Sequence, residues 1–333
     1  MACTSDKRNA KSTKFQKIVA KPTVLREIKI DYERHFNVNK LIIEDDLLYI
    51  LQPFMGKATI ISLSDGRIIN EIALRKTEPK GNEIYLKGGI AIDIKTDKNK
   101  HYVLETGTPK ILEYNSSWDL INTHHLSIDY FVYGPPGIFE LIDGELIIST
   151  IDDFQGRITY GKRSLKADDP LLISYNLKEM ELKEVINAKT FLQGAETDSI
   201  PFFSMTTYDG EFYFTSKYDA SLHKFSKNGK YISKDKSYAN YIGFKEGIAN
   251  SNRDLGIFDV FIDSKNLTYF IEREATDNEL SKFEVVSFDL QKETYWEFEL
   301  DKNNVLLSFK NDQLHYLKQT DEGNTIVTLK FVH

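Results

Sequence analysis

A single cysteine, Cys3, is all that this 333-residue chain contains. No disulfide can form within it, and no thiolate cluster can hold zinc or an iron–sulfur centre. No apolar run reaches the roughly 18 residues of a membrane-spanning helix, and no long helical periodicity occurs. Gly-rich phosphate loops, GxSxG elbows and HExxH pairs are all missing, so the usual signatures of nucleotide binding, serine hydrolysis and zinc proteolysis are excluded as starting points. Seven histidines are scattered along the chain. The one adjacent pair, His124 and His125, lies in a strand-like run, where neighbours point to opposite faces and cannot share an ion.

A surplus of positive charge is also lacking: the formal net charge is −7. The charge is uneven. Residues 1–22 carry Lys7, Arg8, Lys11, Lys14, Lys17 and Lys21 against Asp6, which is +5, so the remainder stands at −12. An acidic body excludes a nucleic-acid groove, since phosphate binding needs a basic face. The basic start reads as a flexible tether over residues 1–22, with one folded unit over residues 23–333 and a monomer as the expected state.

What is present is a repeat. Six units each read as strand, polar turn, strand, loop, strand, turn, strand. Their anchors Leu41, Ile90, Ile138, Phe202, Ile257 and Val305 are 49, 48, 64, 55 and 48 residues apart. Four short strands need about 40–50 residues, the period of propeller blades. The first turns fall at Glu44-Asp45-Asp46, Asp97–Asn99, Asp143-Gly144, Asp209-Gly210, Asp263–Asn266 and Asn311-Asp312. The long third spacing comes from a polar insertion, residues 152–169, between the second and third strands of its unit. Inner strands covered on both faces should be continuously apolar, as residues 47–51 and 171–173 are. The sixth unit ends after three strands, and the orphan run 24–30, apolar at Val24, Ile28 and Ile30, matches the missing fourth. The expected fold is an all-β, six-bladed β-propeller of four-stranded blades, its last blade closed by the N-terminal strand.

The start Ala2-Cys3-Thr4-Ser5-Asp6-Lys7 looks like the mature end of a bacterial lipoprotein, with a small residue before a lipid-modified cysteine and a polar tether after it. On that reading Cys3 is a lipid anchor, the membrane is reached only through it, and the protein sits in the periplasm or at the outer membrane. A cytoplasmic protein with an incidental Cys3 is the alternative.

The runs Gly-Ile-Ala-Ile-Asp at 89–93, His-Tyr-Val-Leu-Glu at 101–105 and Lys-Ile-Leu-Glu-Tyr at 110–114, with Leu-His-Lys-Phe-Ser-Lys-Asn-Gly-Lys-Tyr-Ile at 222–232, are similar to six-bladed TolB-like and NHL-like propellers. The resemblance implies envelope lipoproteins of the Bacteroidetes type, many of unassigned function. It spans about residues 23–333, it is one of pattern, and it carries no catalytic residue across. The Glu, Asn and Asp metal set of lactonase propellers cannot be placed on this chain.

Function is left to position. Loops from second to third strands, and from fourth strands to the next blade, share one end of a propeller, where ligands bind on a rigid scaffold. Those loops hold Glu105, Asp152, Asp153, Lys217, Asp219, Glu272 and Arg273, and the inter-blade loops add Tyr133, Tyr238 and Tyr241. Glu105, Asp152, Asp219 and Glu272 follow the second strands of four consecutive blades, so rotation should bring them round one mouth. Carboxylates with aromatics suit a glycan, a protein ligand or calcium through oxygen ligands. The readings left open are a non-catalytic binding or scaffold protein, a metal-assisted hydrolase or lyase with its site at the central channel, and an intracellular interaction platform.

Overall fold

The computed structural model describes residues 14–30, 40–44, 46–52, 57–73, 90–106, 110–126, 139–149, 170–187, 202–216, 221–235, 237–243, 255–273, 282–300, 304–310 and 313–332. Two strands precede the first repeat, β1 (Gln16–Lys17) and β2 (Lys21–Ile30). The first blade is β3 (Lys40–Glu44), β4 (Leu47–Gln52), β5 (Lys57–Ser62) and β6 (Ile68–Ala73). The second is β7 (Ile90–Asp97), β8 (Lys100–Thr106), β9 (Lys110–Asn115) and β10 (Leu120–His125). The third is β11 (Phe139–Ile142), β12 (Glu145–Ser149), β13 (Pro170–Asn176) and β14 (Glu181–Asn187). The fourth is β15 (Phe202–Tyr208), β16 (Glu211–Ser216), β17 (Leu222–Phe225) and β18 (Tyr231–Asp235). The fifth is β19 (Leu255–Ile262), β20 (Asn266–Arg273), β21 (Lys282–Asp289) and β22 (Thr294–Leu300). The sixth is β23 (Asn304–Lys310), β24 (Gln313–Thr320) and β25 (Gly323–Val332).

Each blade is an antiparallel meander, and in the sixth the order is β23-β24-β25-β2. β2 pairs antiparallel with β25, from Lys21 opposite Val332 to Ile30 opposite Asn324. The orphan strand therefore closes the ring, as the three-strand last unit required. First strands of successive blades touch: β7 meets β3 and β11, β15 meets β19, and β23 meets both β19 and β3. They line the axis, and the last contact shuts the circle. The third unit's insertion lies outside the described residues, but Ser149 and Leu172 are paired across it, so its flanks are neighbouring strands.

The core is divided among the six blade junctions. Tyr49 and Leu51 pack with Val103 and Leu112 between the first two blades, whereas Leu48 and Ile50 on the other face of β4 pack with Leu317 and Ile326 of the sixth. The same alternation places Tyr102 and Leu104 against Leu146 and Ile148, and Ile147 against Phe212 and Phe214. Both faces of these blades are thus buried, which is why the second strand of the first blade is apolar over residues 47–51, whereas β24 of the sixth, QLHYLKQT, carries polar residues and is only partly buried. Each fully buried Leu, Ile or Phe contributes about 1.5–3 kcal/mol.

The basic segment read as a tether through residue 22 is folded onto the body over its last part. Phe15 is buried, and β1 adds a parallel fifth strand to the outer edge of the fifth blade, Gln16 opposite Thr294 and Lys17 opposite Tyr295. The fold begins before residue 23.

Candidate functional site

The two ends of the ring differ. First-to-second turns, such as Asp143-Gly144 and Asp209-Gly210, and third-to-fourth turns, such as residues 116–119 and 226–230, lie at one end and never exceed five residues. Asp143 and Gly144 both have positive φ, 52° and 83°, as do Asp209 and Gly210, 51° and 71°. These are the primed turns that match strand twist. Every connection longer than five residues leaves from the opposite end: 31–39, 74–89, 126–138, 150–169, 188–201, 236–254 and 274–281.

Of the residues singled out in the sequence, Cys3, Tyr133, Asp152, Asp153, Lys217 and Asp219 lie outside the described residues. Glu272 and Arg273 are the last two positions of β20, at the long-loop end of the fifth blade. Glu105 is the last but one residue of β8, at the same end of the second blade. Its carboxylate is only 3% exposed and lies 2.8 Å from Lys110 Nζ, off the hydrogen-bonding direction. Glu105 shares a strand face with Val103, which packs against the first blade. Its charge is therefore neutralised inside the sheet, on the strand opposite, and is not presented freely to a mouth. Tyr238, read as an inter-blade loop aromatic, is buried against Phe15 and Phe288.

Sequence reading missed an ionic cluster on the axis. Lys95 of β7 places Nζ 2.9 Å from Glu44 of β3 and 2.8 Å from Glu140 of β11, joining three blades. Burial works against the ammonium, but the Glu140 and Glu44 carboxylates outweigh it and hold the lysine pKa above its ordinary value. Both carboxylates favour its ammonium form. A signal was available: Lys95 and Glu140 each stand two residues before the end of a first strand, so they align once the repeats are superposed.

Two other polar groups resemble catalytic pairs. Glu113 accepts from His124 Nε2 at 2.9 Å and forms an ion pair with Lys100 at 2.6 Å, and Tyr175 of the third blade reaches His124 Nδ1 at 3.3 Å. The chain Tyr175 to His124 to Glu113 is self-consistent if Nε2 carries the imidazole proton, an assignment made from the partners. His124 is buried and His125 exposed, the opposite faces expected of strand neighbours. Ser221 Oγ and His223 Nε2 are 2.9 Å apart, and both residues are buried. Trp118, part of a WD dipeptide, sits in a turn with φ 64° and stacks on His101 with ring centroids 3.9 Å apart. Among the described residues, no three His, Cys, Asp or Glu side chains gather as a metal site.

Neither a protein-family model nor a curated protein matches the chain. Solved structures do. A Bacteroides fragilis protein described as exported is 10% identical over 96% of this chain and 99% of its own, with a TM-score of 0.59. A streptogramin B lyase is 13% identical, covering 93% and 98%, with a TM-score of 0.48. BamB of Moraxella catarrhalis is 11% identical, covering 87% and 71%, with a TM-score of 0.36. Likeness at such identity speaks for the fold alone. The blade order, the axial first strands and the closure of the last blade by β2 make the chain a six-bladed β-propeller.

Proposed function

We propose that this propeller is a non-catalytic ligand-binding protein of the bacterial envelope, tethered through lipid on Cys3 and engaging a glycan or protein through its long-loop end. One observation carries the reading: every connection longer than five residues leaves the ring at the same end, while the other end is built of tight turns. Long loops on a rigid scaffold cost little stability and supply adaptable contacts, so their confinement to one end marks a recognition surface. Three polar groups that could be mistaken for catalytic machinery support a binding role. Lys95 is clamped by two carboxylates, Ser221 is fully buried, and the Glu113–His124 pair is buried beside Tyr175 of the next blade. The N-terminal pattern around Cys3 supports the envelope assignment, and the exported B. fragilis protein with the same fold is in keeping with it.

The residues expected to contact ligand are Asp152, Asp153, Lys217, Asp219, Glu272, Arg273 and Tyr133. The test is a panel of envelope glycans and proteins screened by calorimetry, followed by two sets of substitutions. Asp152→Asn with Asp219→Asn should weaken binding of any hit about tenfold or more, whereas Asp143→Asn with Asp209→Asn at the tight-turn end should leave it unchanged. Equal losses in both sets would refute the placement. Turnover of a hit that stops on chelation would favour the metal-assisted hydrolase instead.

A further inference from the structure

We propose that the outer groove between the fourth and fifth blades is a binding site for an extended peptide carrying an aromatic side chain followed two residues later by a lysine or arginine. Residues 15–18 of the chain occupy it in cis. The site lies on the outer flank of the ring, and two of its walls, Tyr238 and Tyr241, come from the start of the 236–254 connection.

The chemistry is read from the present occupant. Phe15 enters a pocket walled by Tyr238, Tyr241 and Phe288, with ring centroids 5.6, 5.6 and 5.0 Å away. Its own N–H donates to the Tyr241 hydroxyl at 2.8 Å. Gln16 N–H donates to the Glu293 carbonyl at 2.9 Å, and Ile18 N–H to the Tyr295 carbonyl at 2.8 Å. Lys17 pairs with Glu297 and lies 6.0 Å over the Tyr295 ring. Main-chain bonds along a sheet edge, an aromatic anchor in a pocket and a cation met by a carboxylate and a ring are the parts of strand-addition peptide recognition.

The occupant is exchangeable by construction. Only Val19 and Ala20 separate it from β2, and β2 is held independently by its full ladder with β25, so its departure leaves the sixth blade closed. Its hold rests on the buried Phe15 ring, a two-residue parallel ladder with β22, the partly buried Ile18 and an ion pair at the surface, and Val19 beside it is 83% exposed. Such a segment belongs to the low-stability end of a fold. Once it leaves, the edge of β22 offers unpaired main-chain groups beside an open aromatic pocket, and an extended peptide of like sequence satisfies both.

The probe is a labelled peptide with the sequence of residues 14–20, titrated into the full chain. Wild type should bind it weakly, because the cis segment fills the site. Phe15→Ala should bind about tenfold more tightly or better, the factor by which the open state gains population. Adding Tyr241→Phe in that background should weaken binding several-fold, and a peptide with its Phe replaced by Ala should not bind. Equal affinity of wild type and Phe15→Ala, or equal binding of the Ala peptide, overturns the proposal, as does a folded Phe15→Ala protein that binds nothing. Should Phe15→Ala fail to fold, hydrogen exchange on the wild type decides. The Gln16 and Ile18 amides should exchange about a hundredfold faster than those of β21, and protection equal to β21 overturns exchangeability.

Discussion

Lys95 holds one positive charge between carboxylates of two neighbouring blades, and its side chain is only 19% exposed. Removing it leaves Glu44 and Glu140 close to one another without the ammonium between them. Lys95→Met should therefore cost about 2–4 kcal/mol in urea unfolding, somewhat below the figure for a fully buried pair because Glu140 is 38% exposed. Replacing both carboxylates by Gln in the Lys95→Met background should recover most of the loss. A raised lysine pKa adds stability at every pH below the ordinary lysine value, and that contribution disappears only as pH climbs through the folded pKa, so neutral-pH measurements see all of it. Glu113 behaves in the opposite sense. Burial pushes its pKa up, but hydrogen bonds from Lys100 and His124 outweigh this and hold it below the ordinary 4.5. A depressed carboxyl pKa stabilises the fold above the unfolded value and loses that contribution as pH falls through the folded one. The gap in melting temperature between wild type and Glu113→Gln should thus be open at pH 7, narrow below about pH 4.5, and vanish in stronger acid. A gap independent of pH would show that the network contributes by packing alone.

At the scale of elements, the third-to-fourth turns show how one backbone solution is met by different residues. Positive φ recurs at Gly66, Trp118, Met180, Gly229 and Glu293, one in each of the first five blades. Glycine stands where the turn presses on the neighbouring blade: a Cβ on Gly229 would come within 1.7 Å of the Val185 carbonyl oxygen, and one on Gly66 within 2.1 Å of that of Lys29. Gly229→Ala should accordingly cost about 2–4 kcal/mol, from a main-chain clash that no rotamer relieves added to the left-handed conformation. Met180→Gly at the equivalent turn, where the side chain is 63% exposed, should be neutral or stabilising by up to about 1 kcal/mol. Comparable losses at both sites would mean that the contact with Val185 is not what selects glycine. The blade strands and these turns were legible because apolar runs bounded by Asp-Gly and Asn-Gly repeat at a fixed period. β1 was not, because two residues have no period and Phe15 stands in a run of lysines that reads as solvated. Lys95 with Glu44 and Glu140 was hidden by distance along the chain, although the repeat register aligns Lys95 with Glu140 and puts Glu44 two residues further along its first strand. Glu105 illustrates the reverse error: its place at the long-loop end of β8 was readable, but its burial depends on Lys110 across the ladder.

For the whole molecule, closure by β2 ties the start of the chain to its end, and the segment before β2 is tied again at the fifth blade. The site residues beyond strand ends were legible only as positions on loops, since loop conformation is set by contacts that no period encodes. Closure has a consequence for the anchor proposed at Cys3. Between Cys3 and the docked Phe15, twelve residue steps reach at most about 40 Å when fully extended. A lipid on Cys3 would therefore keep the flank formed by the fourth and fifth blades within that distance of the bilayer, while contributing nothing to the core. Cys3→Ser in the native gene should move the protein from the membrane to the soluble fraction and abolish labelling with a fatty-acid probe, with the melting temperature unchanged. A single acyl chain binds membranes only marginally, so stable retention requires either more than one chain or help from the basic residues beside it. Salt separates these cases. Retention of the wild type in about 1 M salt, where surface attraction is screened over roughly 3 Å, points to the lipid alone. Release by salt with labelling intact assigns a share to Lys7, Arg8 and Lys11. An unlabelled wild-type protein in the soluble fraction would refute the anchor.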